Sequence, residues 1–248
     1  MVKVGIIGGS GLDDPQIIKD ATETHADTPY GKPASPLTIG KINGTDVVLI
    51  GRHGRRHEYG PSEVNYRANV YALKQQGVTH ILATTACGSL REEIGRGHFV
   101  IIDQFIDFTK NRKNTYHDSF ENGIAHAAMA EPFDCFLREA LYNTAKEAGY
   151  PVHKTGTVIT IEGPRFSTIA ESKMFRMWGA DIINMSIATE ASLANELKIP
   201  YAAIAMSTDY DCWKKDEKPV SWEEILKVFH KNADNVKNIL INVLLKIK

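Results

Sequence analysis

Short apolar runs alternate along the chain with stretches whose apolar residues recur at helical spacing. Met1 to Gly8, Asp46 to Gly51, His80 to Ser89, His98 to Phe105, Gly156 to Glu162, Ala180 to Ser186 and Tyr201 to Met206 read as largely buried strands. The Asp46 run is the second strand of this reading. Between them, Pro61-Ser62 opens a helix with Val64, Ala68, Tyr71 and Ala72 on one face, and Gly77 ends it. Further helices are predicted over Pro132 to Ala148, around Ala170 to Trp178, and over Ala188 to Leu197. Ser221-Trp222-Glu223-Glu224 has the form of a capping box. It starts a long last helix with Ile225, Phe229, Ala233, Val236, Leu240 and Val243 on one face. Thr109 to Gly123 has no periodicity and reads as a surface excursion. This alternation predicts an α/β fold: a single domain over residues 1–248, with a central mixed, largely parallel sheet flanked by helices.

Candidate chemistry gathers where the strands end. The run from Tyr201 leads to Asp209 and Asp211, which share one face if the extended path continues. Open α/β sheets bind ligands beyond such ends; the same acids equally cap a turn or sit in solvent. Gly8-Gly9-Ser10-Gly11 leaves backbone N–H groups and the Ser10 hydroxyl open to an anion, or makes a plain tight turn. Asp14 stands where a dinucleotide fingerprint needs its third glycine. Arg52-His53-Gly54-Arg55-Arg56-His57 concentrates cationic and titratable groups. Arg52 and His53 are the phosphate candidates, and the other three equally face solvent or a subunit interface. With Thr85, these strand ends offer converging donors for one anion. Phe166, in the turn Gly163 to Ser167, is either a packing plug or a stacking face for a planar heterocycle. Glu190 either favours the positive end of its helix or reaches a sugar hydroxyl.

Composition narrows the classes. Hydrophobic residues make up 43% and charged residues 24%, an ordinary globular balance. A net charge of -1 gives no general pull on nucleic acid, so an anionic ligand must be met locally. No window approaches the ~18 apolar residues of a membrane span. The N-terminal apolar run is too short for a signal peptide. Cys87, Cys135 and Cys212 lack metal-ligand spacing and read most simply as reduced thiols in a cytoplasmic protein. No Asp/Glu/His set suggests a metal.

Taken together, Gly8-Gly9-Ser10-Gly11-Leu12, Arg52-His53-Gly54-Arg55, Thr84 to Arg91, Ile161 to Ser167, Asn184-Met185 and Ser207 to Trp213 resemble the 5′-methylthioadenosine phosphorylases of the purine nucleoside phosphorylase family. The resemblance runs along nearly the whole chain. It implies a homotrimer, or a dimer of trimers, that splits methylthioadenosine with inorganic phosphate as co-substrate and needs no cofactor or metal. It implies a phosphate site of Ser10, Arg52, His53, Thr85, Ala86 and Ser186, with Met185 against the ribose and Phe166 near the base. Asp209 would hold or donate a proton at purine N7, and Asp211 would bind near the 6-amino group. C–N cleavage leaves a purine anion and an oxocarbenium-like ribosyl group, so a proton or hydrogen bond at N7 favours the transition state. Members acting on 6-oxopurines carry Asn at the position of Asp209, so the acid implies adenine. Ser167, Trp222 and His126 are the implied specificity positions, with His126 supplied by an adjacent subunit. Trp222 stands where the family often has a small aliphatic residue near the 5′ substituent, and Ser186 to Glu190 lacks the proline that usually precedes the glutamate. The alternatives are a related phosphorylase using adenosine or methylthioinosine, and a non-catalytic nucleoside-binding module.

Overall fold

The fold is taken from a computed structural model whose described residues are 1–9, 17–121, 123, 125–215 and 221–247; the side chains of 222, 224 and 229–231 lie outside the description. Strands β1 (Lys3–Gly8), β2 (Lys19–Thr24), β3 (Leu37–Ile42) and β4 (Thr45–Gly51) come first, followed by helix α1 (Tyr66–Gln75). Next are β5 (His80–Ser89), β6 (Phe99–Ile101), β7 (Gln104–Phe108), α2 (Cys135–Glu147), β8 (Val152–His153) and β9 (Thr157–Ile161). The chain closes with α3 (Ile169–Met177), β10 (Ile182–Asn184), α4 (Ile187–Glu196), β11 (Tyr201–Asp209) and α5 (Trp222–Val243).

One mixed sheet carries the eleven strands found among the described residues, in the order β2-β3-β4-β1-β5-β10-β9-β7, with β11 paired to β5 and β6, and β6 to β8. Alternation along its central strands builds two cores. Ile81 and Ala83 of β5 and Tyr201, Ala203 and Ala205 of β11 pack with α1 and α4 on one face. Leu82 of β5 and Ala202, Ile204 and Met206 of β11 pack with α2 and α5 on the other. Both faces are covered by helices, which is why these strands read as unbroken apolar runs.

The predicted α/β architecture is the observed one, with three local differences. Before the Asp46 run, β2 and β3 form an antiparallel pair, so that run is the fourth strand. Every residue of β2 up to Glu23 is exposed, and a strand without a buried face leaves no alternation to read. His98 to Phe105 is two strands, because β6 pairs with β11 and β8 while β7 leaves to pair with β9. Helix α1 starts at Tyr66 and not at Pro61. Asn65 caps it by accepting from the Ala68 N–H at 3.1 Å, and Pro61 to Glu63 form a turn. The capping box found is Thr168 with Glu171 on α3; the Ser221 to Glu224 pattern falls partly outside the described side chains. Among the described residues, no helix is long and apolar enough to cross a membrane.

Strand directions create the site. β1, β4, β5 and β11 run parallel, so their C-terminal ends lie side by side. β10 crosses antiparallel over the end of β5, pairing Ile182 with Ser89 and Ile183 with Gly88. That crossing brings Asn184, Met185 and Ser186 to the same edge.

Candidate active site

A cavity of about 160 Å³ opens where these ends meet. That is room for on the order of ten waters, and so for a small organic molecule. Its wall includes Gly9, Arg52, His53, Thr85, Ala86, Phe166, Ser167, Met185, Ser186, Thr208, Asp209 and Asp211. One end carries the Arg52 guanidinium and hydroxyls, the other two carboxyls.

At the first end, Arg52 follows β4 and is 1% exposed, as is its partner Glu190 of α4. Its Nε donates to Glu190 Oε1 at 2.5 Å, Nη2 to Oε2 at 3.0 Å, and Nη1 to the Thr84 carbonyl at 2.9 Å. Burial works against the guanidinium charge, but the Glu190 carboxylate more than offsets it and keeps Arg52 protonated. Tyr201 completes the cluster by donating its hydroxyl to Glu190 Oε2 at 2.8 Å. Gly9 packs so tightly here that a Cβ would lie 3.0 Å from Arg52 Nη1 and 3.2 Å from the Thr84 carbonyl oxygen. His53 stacks on His57 with ring centroids 4.4 Å apart. Its Nδ1 is 3.0 Å from the Tyr59 carbonyl oxygen, which can only accept, so Nδ1 carries the proton. Burial and the Arg52 charge hold its pKa down to about 3, so the ring is neutral. Asn184 donates to Thr85 Oγ1 at 3.3 Å and accepts from Thr160 Oγ1 at 2.8 Å, which fixes Thr85 in the wall. Ser186 is the N-cap of α4 but makes no side-chain cap bond, so the positive end of that helix and a hydroxyl both face the cavity.

At the other end, β11 bulges. Ser207 pairs with Cys87 and Asp209 with Gly88, which leaves Thr208 as the extra residue and turns Thr208 and Asp209 into the cavity together. Asp209 Oδ1 accepts the Asp211 N–H at 2.8 Å, and Oδ2 lies 2.7 Å from Thr208 Oγ1. Burial raises the Asp209 pKa, with the Asp211 charge adding to it, against hydrogen bonds from Thr208 and the Asp211 backbone. Asp211 is likewise pushed up by burial, with the Ser172 and Ser167 hydroxyls and the Cys212 backbone pulling the other way. The extended path assumed from the i, i+2 spacing does not continue, because Asp211 adopts φ 49° in a turn. The two acids share the cavity through a bulge and a turn.

A family model described as the phosphorylase superfamily matches residues 3–245. The chain belongs to the phosphorylase superfamily. It is 54% identical over 250 residues to the S-methyl-5′-thioadenosine phosphorylase of Xenopus tropicalis, covering 99% of this chain and 89% of that one. It is 52% identical over 249 residues to the enzyme of the same name from Danio rerio, again with 99% and 89% coverage. Among solved structures, the methylthioadenosine phosphorylase of Schistosoma mansoni in complex with adenine superposes with a TM-score of 0.95 at 43% identity, covering 100% of this chain and 92% of that one. A mutant of the Schistosoma mansoni adenosine/methylthioadenosine phosphorylase, in complex with methylthioadenosine, gives 0.94 at 42%, with the same coverage.

Within this phosphorylase-superfamily chain, Arg52, His53, Thr85, Ala86, Ser186, Met185, Phe166, Ser167, Asp209 and Asp211 all line the one cavity. Ser10 lies outside the described residues, as does the side chain of Trp222, whose backbone opens α5 one turn before the cavity-lining Ile225. His126, expected from an adjacent subunit, does not line the cavity of its own chain, where it is exposed against Phe120 with ring centroids 5.4 Å apart. Glu190 is enclosed at 1% exposure and is not part of the cavity wall. Both its oxygens are taken by Arg52 and Tyr201, so it does not reach for a sugar. His57 lines the cavity, while Arg55 pairs with Glu23 and Arg56 lies exposed beside Glu58.

Sequence reasoning misses two residues. Thr208 reads as one more small strand residue until the bulge turns it. Arg112 sits in the stretch read as a surface excursion, yet its side chain is 2% exposed. It donates to the Met185 carbonyl at 2.9 Å, the Glu162 carbonyl at 2.6 Å, the Glu162 carboxylate at 2.9 Å and the Tyr66 hydroxyl at 2.9 Å. The available signal is an arginine and a glutamate flanking aperiodic polar chain, which is too common to act on.

Proposed function

We propose that this protein cleaves S-methyl-5′-thioadenosine by phosphorolysis, releasing adenine and 5-methylthioribose 1-phosphate. The observation that carries the reading is the two-ended cavity: oxyanion donors from β4, β5 and α4 face one end, and two buried carboxyl groups with raised pKa values close the other. Relatives of that name, at half identity over nearly the full chain, support the same substrate.

In this reading Arg52, His53, Thr85, Ala86, Ser186 and Ser10 bind phosphate, Met185 lies against the ribose, and Phe166 meets the base. Asp209, protonated in its buried site, gives its proton to purine N7 as the C–N bond breaks. Asp211 takes the 6-amino group. Glu190 neutralises Arg52, so bound phosphate keeps its negative charge facing the sugar. That charge stabilises the oxocarbenium-like carbon and then attacks it. Phosphate is a co-substrate, and no cofactor or metal is required. Residues 1–248 act as one nucleoside phosphorylase domain in a cytoplasmic homotrimer or dimer of trimers, with Ser167, Trp222 and a neighbouring subunit's His126 shaping specificity.

The test is purine release with and without phosphate from methylthioadenosine, adenosine, methylthioinosine and inosine. Phosphate-dependent release fastest from methylthioadenosine is expected. Preference for adenosine would move the specificity to a narrowed 5′ pocket, and preference for the inosines would remove the roles given to Asp209 and Asp211.

A further inference from the structure

Thr208 is the residue that the β11 bulge adds, and it is buried at the carboxyl end of the cavity. Its hydroxyl oxygen is 2.7 Å from Asp209 Oδ2 and 3.2 Å from the Cys87 carbonyl oxygen. A hydroxyl has one proton to donate, and here two acceptors lie within reach of it. The carboxylate form of Asp209 claims that proton, whereas the carboxylic acid does not need it. Rotation about the Cβ–Oγ bond alone exchanges the two partners, with no heavy atom moving.

We propose that Thr208 is a positioning residue for proton delivery, turning its hydroxyl from the Cys87 carbonyl to Asp209 as that acid gives up its proton. The inference rests on the role assigned to Asp209 above. Before cleavage, Asp209 is protonated and directed at purine N7, and Thr208 donates to the Cys87 carbonyl oxygen. As the C1′–N9 bond breaks, its electron pair passes to the purine and the Asp209 proton passes to N7. A phosphate oxygen supplies the new bond to C1′. The carboxylate left behind then holds two donors, the Asp211 N–H on Oδ1 and the Thr208 hydroxyl on Oδ2. Without Thr208 that new charge would be buried with one donor fewer, and unmet charge in such a site is costly.

The other groups facing Asp209 set the background. The Asp211 carboxyl, one turn on, disfavours the charge and Arg96 favours it, while the buried Cys87 thiol across on β5 is held neutral. Thr208 is the neighbour whose donor can be withdrawn and returned as the proton moves.

Thr208→Val keeps the shape and removes the hydroxyl, and Thr208→Ser returns the hydroxyl. Each, with Asp209→Asn, is assayed on methylthioadenosine and on its N7-methylated analogue, whose leaving base needs no proton. Thr208→Val is expected to lose about 10- to 100-fold in kcat on methylthioadenosine. On the methylated analogue it should stay within about threefold of the parent, and Thr208→Ser should recover most of the loss. The alkaline limb of the kcat profile should also move to higher pH in Thr208→Val, because the ionised acid has lost a donor. Equal losses on both substrates, or no loss on either, would overturn the proposal. If Asp209→Asn itself shows no selective loss on methylthioadenosine, the failure lies in the role given to Asp209. If Asp209→Asn is selective and Thr208→Val is not, only the inference about Thr208 falls.

Discussion

The backbone N–H of Asp211 donates to Oδ1 of Asp209 at 2.8 Å, across a turn in which Asp211 takes φ 49°. Aspartate tolerates this left-handed region better than most residues. The bond holds one acid by the backbone of the other and keeps both carboxyls in one cavity.

Replacing Asp209 separates activity from stability. Asp209→Asn preserves the shape and can donate to Thr208 while Thr208 donates to the Cys87 carbonyl. Turnover of adenine nucleosides should fall about 100- to 10,000-fold, the range of a lost general acid. Stability should move the other way. The folded pKa of Asp209 is raised, so its contribution to stability is present below the unfolded pKa and lost as pH rises through the folded pKa. At neutral pH the variant is therefore expected to melt no lower than the parent, and below about pH 4, where the carboxyl is protonated in both states, any gain should shrink. Parallel melting curves against pH check both directions.

Glu190 is the counter-ion of a fully buried arginine. Glu190→Gln leaves the Arg52 charge uncompensated, and such losses cost about 3–5 kcal/mol. Urea titration should show a matching fall in midpoint with little change in slope. An unchanged midpoint would mean that Arg52 is balanced by another group.

Gly88 makes room for the acid. A Cβ there would meet Asp209 Oδ1 at 2.9 Å and Ile183 Cγ2 at 3.0 Å. Gly88→Ala should shift the carboxyl and lower kcat by at least about 10-fold, since small displacements of a reacting group are expensive. Its far-ultraviolet spectrum should stay native, because the clash is local.

His53 gives the ligand-free protein an acid-side sensitivity. Its pKa falls from 6.5 to about 3, so the unfolded chain binds this proton first. The stability it contributes is complete above pH 6.5 and is lost as pH falls toward 3. His53→Asn should flatten the stability profile across that window, as read from melting temperature in buffers without phosphate.

The sequence displays the site through its strand ends. Arg52, Thr85 and Asp209 lie at or after apolar runs of parallel strands, and a parallel sheet is bound to bring such ends together, while Ser186 joins them because β10 crosses antiparallel over β5. What it hides has physical causes. β2 carries no buried face up to Glu23, so no alternation marks it. The bulge at Thr208 changes direction without changing composition. Glu190 and Arg52, 138 residues apart, become partners only through tertiary packing, so the bond that removes Glu190 from any sugar is invisible along the chain. Arg112 is buried by Glu162 and Tyr66, although its own segment has no apolar period.

The central claim is that phosphate, not water, takes the sugar. Incubation of the protein with methylthioadenosine and phosphate labelled with ¹⁸O in every position, followed by mass spectrometry of the sugar product, tests it directly. The account predicts adenine together with a 5-methylthioribose 1-phosphate that retains all the label, including the oxygen bridging carbon and phosphorus. Free, unlabelled methylthioribose, or adenine released at the same rate without phosphate, would contradict it.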